Sequence, residues 1–146
     1  MTTYVIASGY FDPIHVGHIE YFRLSKALGD KLIVIVNTDK QALKKKGYVF
    51  MPEGERIEII RSIGIVDNVI LSIDTDESVS RTLSFLSTFC PGDKLIFAKG
   101  GDRHAEEIPE NKTCKKYNIE IVDGLGNKIQ SSSELTKLAG ALWRSK

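Results

Sequence analysis

Two histidines three residues apart, His15 and His18, stand in the run Gly9-Tyr10-Phe11-Asp12-Pro13-Ile14-His15-Val16-Gly17-His18. Neutral or protonated, an imidazole N–H donates hydrogen bonds to phosphate oxygens. The run follows the apolar stretch Tyr4-Val5-Ile6-Ala7, which reads as a first buried strand. It leads into Ile19 to Leu28, which has helical spacing and ends at Gly29. A strand, a glycine turn and a helix start, in that order, make an anion site. Unpaired backbone N–H groups and the positive end of the helix dipole meet there. On the first turn of that helix the two imidazoles stand on neighbouring faces.

Alternating elements must position this stretch. Lys31-Leu32-Ile33-Val34-Ile35-Val36 is β-branched and fully apolar, as in a strand covered on both faces. Asn37-Thr38-Asp39 caps a short polar helix ending in Lys44-Lys45-Lys46, and residues 47–51 are irregular. Pro52 opens a helix carrying Arg56, Ile57, Ile60 and Ile63 and stopping at Gly64. A strand is expected over 66–71, then a helix from Asp74-Thr75-Asp76 through Val79, Leu83 and Leu86 to Phe89. Pro91-Gly92-Asp93 is a turn before a strand at Leu95 to Ala98. A glycine loop over 98–104, a helix over 110–117 and a strand at Ile119 to Val122 follow. Asp123 to Gln130 reads as a loop, and Ser131-Ser132-Ser133-Glu134 opens a last helix running towards Trp143. The fold class expected is α/β: a Rossmann-like three-layer α/β/α sandwich on a five-stranded parallel sheet. The loops 9–18, 98–104 and 126–133 all follow strands, so they converge on the rim where such sheets bind ligands.

The chain of 146 residues is expected to form one domain with a real core. A formal net charge of +1 gives no field to hold nucleic acid or an acidic membrane. No apolar run approaches the roughly 18–20 residues of a membrane span, and the chain enters a strand without a signal-peptide pattern. Cys90 and Cys114 lack metal or redox-motif spacing, which points to reduced thiols and a cytoplasmic location.

His-x-Gly-His after Gly-x-Phe-Asp resembles the signature of the cytidylyltransferase-like nucleotidyltransferases, a family that includes glycerol-3-phosphate cytidylyltransferases and heptose 1-phosphate adenylyltransferases. The resemblance extends along the chain. Lys44, Lys45, Lys46 and Arg56 resemble the lysine segment and helix arginine of the cytidylyl enzymes. Lys99-Gly100-Gly101-Asp102 is similar to a Lys-Gly-Gly-Asp of the adenylyl enzymes, and Ser131-Ser132-Ser133 to a serine and threonine motif opening the final helix. It implies catalytic roles for His15, His18, Lys46 and Arg56. It implies nucleotide contacts from Gly9, Tyr10, Phe11, Gly17, Lys44, Gly100, Asp102, Ser131, Ser132 and Ser133. Arg103 and His104 are candidates for acceptor contacts, and Asp12 for bracing the loop. The family commonly has a small residue where Tyr10 stands. Arg56 can equally pair with Glu53 or Glu58, and Ser131 with Glu134 also fits a capping box.

The expected activity is transfer of CMP or AMP from CTP or ATP to a phosphorylated small molecule, releasing pyrophosphate. That acceptor is a polyol phosphate or sugar 1-phosphate of cell-envelope or lipid precursor synthesis. Mg²⁺ bridging the triphosphate is the implied cofactor, and a homodimer the implied assembly. Little covalent chemistry is asked of the protein, which aligns reactants and neutralises charge. The alternative from another class is a non-catalytic nucleotide-binding module.

Overall fold

Runs such as Leu32 to Val36 leave no polar face, so a strand built from them must be covered on both sides. The computed structural model describes residues 1–101, 108–126 and 132–144 and places helices accordingly. The order is β1 (Thr3–Gly9), α1 (Val16–Lys26), β2 (Lys31–Val36), α2 (Asp39–Lys46), α3 (Glu53–Arg61) and β3 (Asn68–Leu71). It continues through α4 (Ser80–Phe89), β4 (Lys94–Gly100), α5 (Asn111–Lys116), β5 (Glu120–Leu125) and α6 (Ser132–Arg144). The strands form one parallel sheet in the order β3-β2-β1-β4-β5. This is the expected Rossmann-like fold, and its strand order reverses between β1 and β4.

Alternation along each strand divides the core into two layers. Val5, Leu32, Val34 and Ile96 face Phe22 of α1 and Ile60 of α3. Ile6, Ile33, Ile35 and Phe97 face Leu83 of α4 and Cys114 of α5. Each fully buried aliphatic side chain contributes about 1.5–3 kcal/mol of burial energy.

Four boundaries differ from expectation. Helix α4 starts at Ser80, because Asp74 stays outside it and accepts the N–H groups of Arg81 (2.7 Å) and Thr82 (3.0 Å) as a remote cap. Strand β4 runs on through Lys99 and Gly100, and β5 through Asp123 to Leu125, with a register shift between Ala98 and Gly100. Helix α1 begins earlier, at Val16.

At the reversal the sheet parts. Pairing of β1 with β2 continues to Gly9 and Val36, whereas β1 pairs with β4 only as far as Ile6 and Phe97. The buried Tyr21 hydroxyl bridges the gap, accepting the Ser8 N–H (3.2 Å) and donating to the Ala98 carbonyl. Burial raises its pKa above the ordinary tyrosine value, so it stays protonated and able to donate. Tyr21→Phe strands one N–H and one carbonyl at the base of a crevice. A loss of about 1–3 kcal/mol in chemical denaturation is expected.

Candidate active site

The first turn of α1 joins fold and chemistry in one hydrogen-bond pair. His15 is the N-cap; its Nδ1 accepts the Gly17 N–H at 3.1 Å, while Nδ1 of His18 accepts the His15 N–H at 3.1 Å. This reciprocal capping box is built from two imidazoles in place of a hydroxyl and a carboxylate. Because each Nδ1 accepts, a neutral ring carries its proton on Nε2, and that N–H is the donor left for a ligand. The rings stack with centroids 3.8 Å apart, and Phe11 meets His18 edge-on at 4.9 Å. Burial, and then the neighbouring His15, lowers the His18 pKa to about 3; burial also lowers that of His15. Both rings are therefore neutral donors near neutral pH. The N–H of Gly17, a position expected to contact the nucleotide, is spent on the cap.

The loop joining β1 to this turn is held from beneath. Phe11 sits at φ 55°, in the left-handed region. Its ring closes on Gly9, where a Cβ would lie 2.9 Å from Phe11 Cζ, so only glycine fits. Asp12 is 1% exposed; its carboxylate accepts the N–H groups of Phe50 (2.9 Å) and Met51, with Lys46 Nζ at 3.4 Å. Lys46 also donates to the Asp12 carbonyl at 3.2 Å. The lysine expected at a phosphate thus braces the loop.

Arg56 is likewise redirected. It is fully buried, with Nε on the Met51 carbonyl (2.8 Å), Nη1 on those of Tyr10 and Asn37 (2.7 Å each), and Nη2 on Asp39 Oδ1 (2.7 Å). A planar fork with four acceptors ties the ends of β1 and β2 to the starts of α2 and α3. In place of the expected phosphate contact, and of Glu53 or Glu58 as partner, its role is to clamp the site's loops.

A cavity of about 270 Å³ opens where β1 and β4 part. Gly9, Tyr10 and Gly100 form part of its wall, with Lys45, Lys99 and Glu110 bringing charge to it. Lys45, one of the three lysines among which the sequence leaves the choice open, has its Nζ 4.9 Å from the centre of the Tyr10 ring. Lys44 turns the other way and donates to the Thr75 carbonyl at 3.2 Å. Lys99 Nζ lies 3.4 Å from Ser8 Oγ, across the gap between the strands. Gly100 has to be small, since a Cβ there would meet the Tyr21 ring at 3.1 Å.

Helix α6 closes the other side. Ser132 Oγ donates to the Pro13 carbonyl at 2.7 Å, and Thr136 Oγ1 lies 2.9 Å from the Tyr48 hydroxyl. Ser132 of the serine motif therefore stands beside the histidine loop. Asp102, Arg103, His104, Ser131 and the side chains of Ser133 and Trp143 lie outside the described residues. Among the described residues no helix is long and apolar enough to cross a membrane, and no three His, Cys, Asp or Glu side chains group to hold a metal.

Comparison with known proteins agrees with this geometry. Residues 6–137 match the family model described as cytidylyltransferase-like. The FAD synthase of Pyrococcus horikoshii is 41% identical over 119 residues, covering 81% of this chain and 77% of that protein. The bifunctional protein HldE of Photobacterium profundum is 37% identical over 112 residues, 75% of this chain. The chain spans only 22% of that protein and 51% of the FAD synthase of Methanococcoides burtonii. Among solved structures, a lipopolysaccharide core biosynthesis protein from Thermoplasma volcanium superposes with a TM-score of 0.69 at 28% identity. That superposition covers 87% of this chain and 98% of the other.

Two outcomes follow for the described geometry. Arg56→Ala leaves three carbonyls and Asp39 without their donor, and a loss of more than about 3 kcal/mol is expected in denaturant titration. Arg56→Lys should not restore it, because a point charge cannot reach four acceptors. The second concerns acid. Unfolded histidine titrates near 6.5 and folded His18 near 3, so the unfolded chain binds more protons between those values. The contribution of neutral His18 is whole above pH 6.5 and is lost as pH falls towards 3. From about pH 7 to about pH 5 the loss is about 2 kcal/mol, and His18→Asn should flatten that slope.

Proposed function

The chain belongs to the cytidylyltransferase-like family, and from that membership we propose that it transfers a nucleotidyl group from CTP or ATP to a phosphorylated small molecule. The acceptor is a polyol phosphate or sugar 1-phosphate, and the product serves cell-envelope or lipid precursor synthesis. Relatives named FAD synthase, after an adenine dinucleotide, weigh towards ATP as donor. The observation that carries the reading is the pair of neutral imidazoles, each fixed through Nδ1 by a backbone N–H of the same helix start, which leaves Nε2–H as the donor.

An ionised oxygen of the acceptor phosphate attacks the α-phosphorus in line. A new P–O–P linkage forms, the bond to the β-phosphate bridge breaks, and pyrophosphate leaves with that electron pair. No general base is required, since the attacking oxygen carries no proton. His15 and His18 donate to the oxygens on which charge grows, and the helix start adds its dipole. Ser131, Ser132 and Ser133 at the start of α6 take the β- and γ-phosphates. Gly9, Gly100 and Asp102 border the nucleoside, and Lys45 supplies the phosphate contact that the sequence leaves open among Lys44, Lys45 and Lys46. Mg²⁺ would enter with the triphosphate as part of the substrate and would offset its negative charge, oxygen being the ligand it prefers.

The test is pyrophosphate release with ATP, CTP, GTP and UTP, each with Mg²⁺ and a panel of phosphorylated acceptors. One donor and acceptor pair should turn over, and His18→Ala should lower kcat by about 10²–10³-fold. Normal turnover by that variant would remove the histidine role. Triphosphate binding with no turnover for any acceptor would leave a nucleotide-binding module instead.

A further inference from the structure

The net charge of +1 hides a local imbalance. Helices α4 and α5 cover one layer of the core together, meeting over Leu83, Leu86 and Cys114. Neither helix contains an aspartate or a glutamate; Arg81 stands on α4, and Lys112, Lys115 and Lys116 on α5. All four cations are exposed, and none is ion-paired among the described residues. The acidic Glu53, Glu55 and Glu58 lie on α3, which covers the opposite layer. The same two helices expose aromatic surface. Phe85 is 46% and Phe89 75% exposed, and their rings stack with centroids 5.8 Å apart. Spaced four apart along the helix, Arg81, Phe85 and Phe89 form one row. Tyr117, just past α5, meets Ser84 beside that row, and Lys116 Nζ lies 5.4 Å from the centre of its ring. The small polar residues next to the phenylalanines spend their hydroxyl protons on their own helix. Ser87 Oγ (2.7 Å) and Thr88 Oγ1 (3.2 Å) both donate to the Ser84 carbonyl. What the face offers a partner is apolar area and positive charge.

We propose that the outer face of α4 and α5 docks on an anionic lipid bilayer. Phe85, Phe89 and Tyr117 enter the boundary between headgroups and acyl chains. The stems of Arg81 and the three lysines lie along that apolar area and keep their charges among the lipid phosphates. A protein partner would need a pocket shaped for two stacked rings and donors to match those the face withholds. A fluid, negatively charged surface needs neither. Helices in a parallel sheet start at the carboxyl ends of the strands, so α4 begins beside the cavity, in whose wall Val79 stands. Phe89 lies about 14 Å further along the helix axis. The end of the face that carries the most exposed ring is thus the end remote from the candidate site.

The experiment is cosedimentation of the whole chain with vesicles, either phosphatidylcholine alone or an equimolar mixture of it with phosphatidylglycerol, over a range of salt. Wild type is compared with a double variant, Phe85→Ser with Phe89→Ser, and a triple variant, Lys112→Gln with Lys115→Gln and Lys116→Gln. Wild type should bind the mixed vesicles at least about tenfold more tightly than the neutral ones, and less tightly as salt rises. Each variant should lose about tenfold or more of that affinity. Both should keep the wild-type thermal midpoint, because the side chains they change are exposed. Equal binding to the two kinds of vesicle, or binding to neither, overturns the proposal. So does a vesicle affinity left unaltered in either variant. Binding to soluble polyglutamate in place of vesicles would assign the face to an acidic protein, and self-association without vesicle binding would assign it to a second copy. Either result overturns the proposal too.

Discussion

A parallel sheet whose strand order reverses cannot keep its two central strands paired to their ends while the chain leaves them for opposite faces. Here the separation begins after Ile6 and Phe97, and one tyrosine hydroxyl takes over from the ladder. Among the described residues, the candidate site lies beyond that point. The Gly9 turn leaves β1 towards the histidines, Gly100 leaves β4 across the crevice, and the cavity is the space between them. Tyr21 belongs to the same helix that the histidines cap. Its anchor across the gap therefore also fixes where the first turn of α1 points.

The loops around this gap are made rigid by buried charge. Asp12 gathers two backbone N–H groups and a lysine, and Arg56 gathers three carbonyls and a carboxylate. Ionised groups out of water are expensive unless each donor and acceptor is matched, and these two are matched by the irregular segments a phosphate site needs. Segments that could not order themselves by helix or strand bonding are ordered by side chains instead. The site's donors are thereby set before any ligand arrives, the condition under which they stabilise developing charge best.

Most of the architecture was legible because it rests on local pattern. Lys31 to Val36 was read to the residue, since a both-faces-buried strand is apolar throughout. The start of α4 was misjudged because Asp74 caps from six positions before the helix, a reach no local motif records. The histidine pair was singled out for phosphate contacts, and the capping role that the structure shows was missed. The spacing His15-x-x-His18 is that of a capping box, and reading it so would have fixed the tautomers from sequence alone. Lysine and arginine were harder, because a run of three adjacent lysines gives no hint which of them turns inward. Lys44 turns to the Thr75 carbonyl while Lys45 and Lys46 both approach the Tyr10 ring, and a cation suited to phosphate equally suits a cluster of loop carbonyls, as Arg56 does. Glu110 had no signal at all; it shares a cavity wall with Tyr10 only because the sheet brings positions a hundred residues apart to one crevice.

The central claim is that His15 and His18 are neutral, oriented Nε2–H donors to a triphosphate. Nitrogen NMR of the two imidazoles through an acid titration, with and without a non-hydrolysable triphosphate, tests it most directly. The account expects His18 to stay neutral with its proton on Nε2 well below its ordinary pKa of 6.5, and both Nε2 resonances to move when the triphosphate is added. Titration of His18 near 6.5, or rings indifferent to the triphosphate, would contradict it.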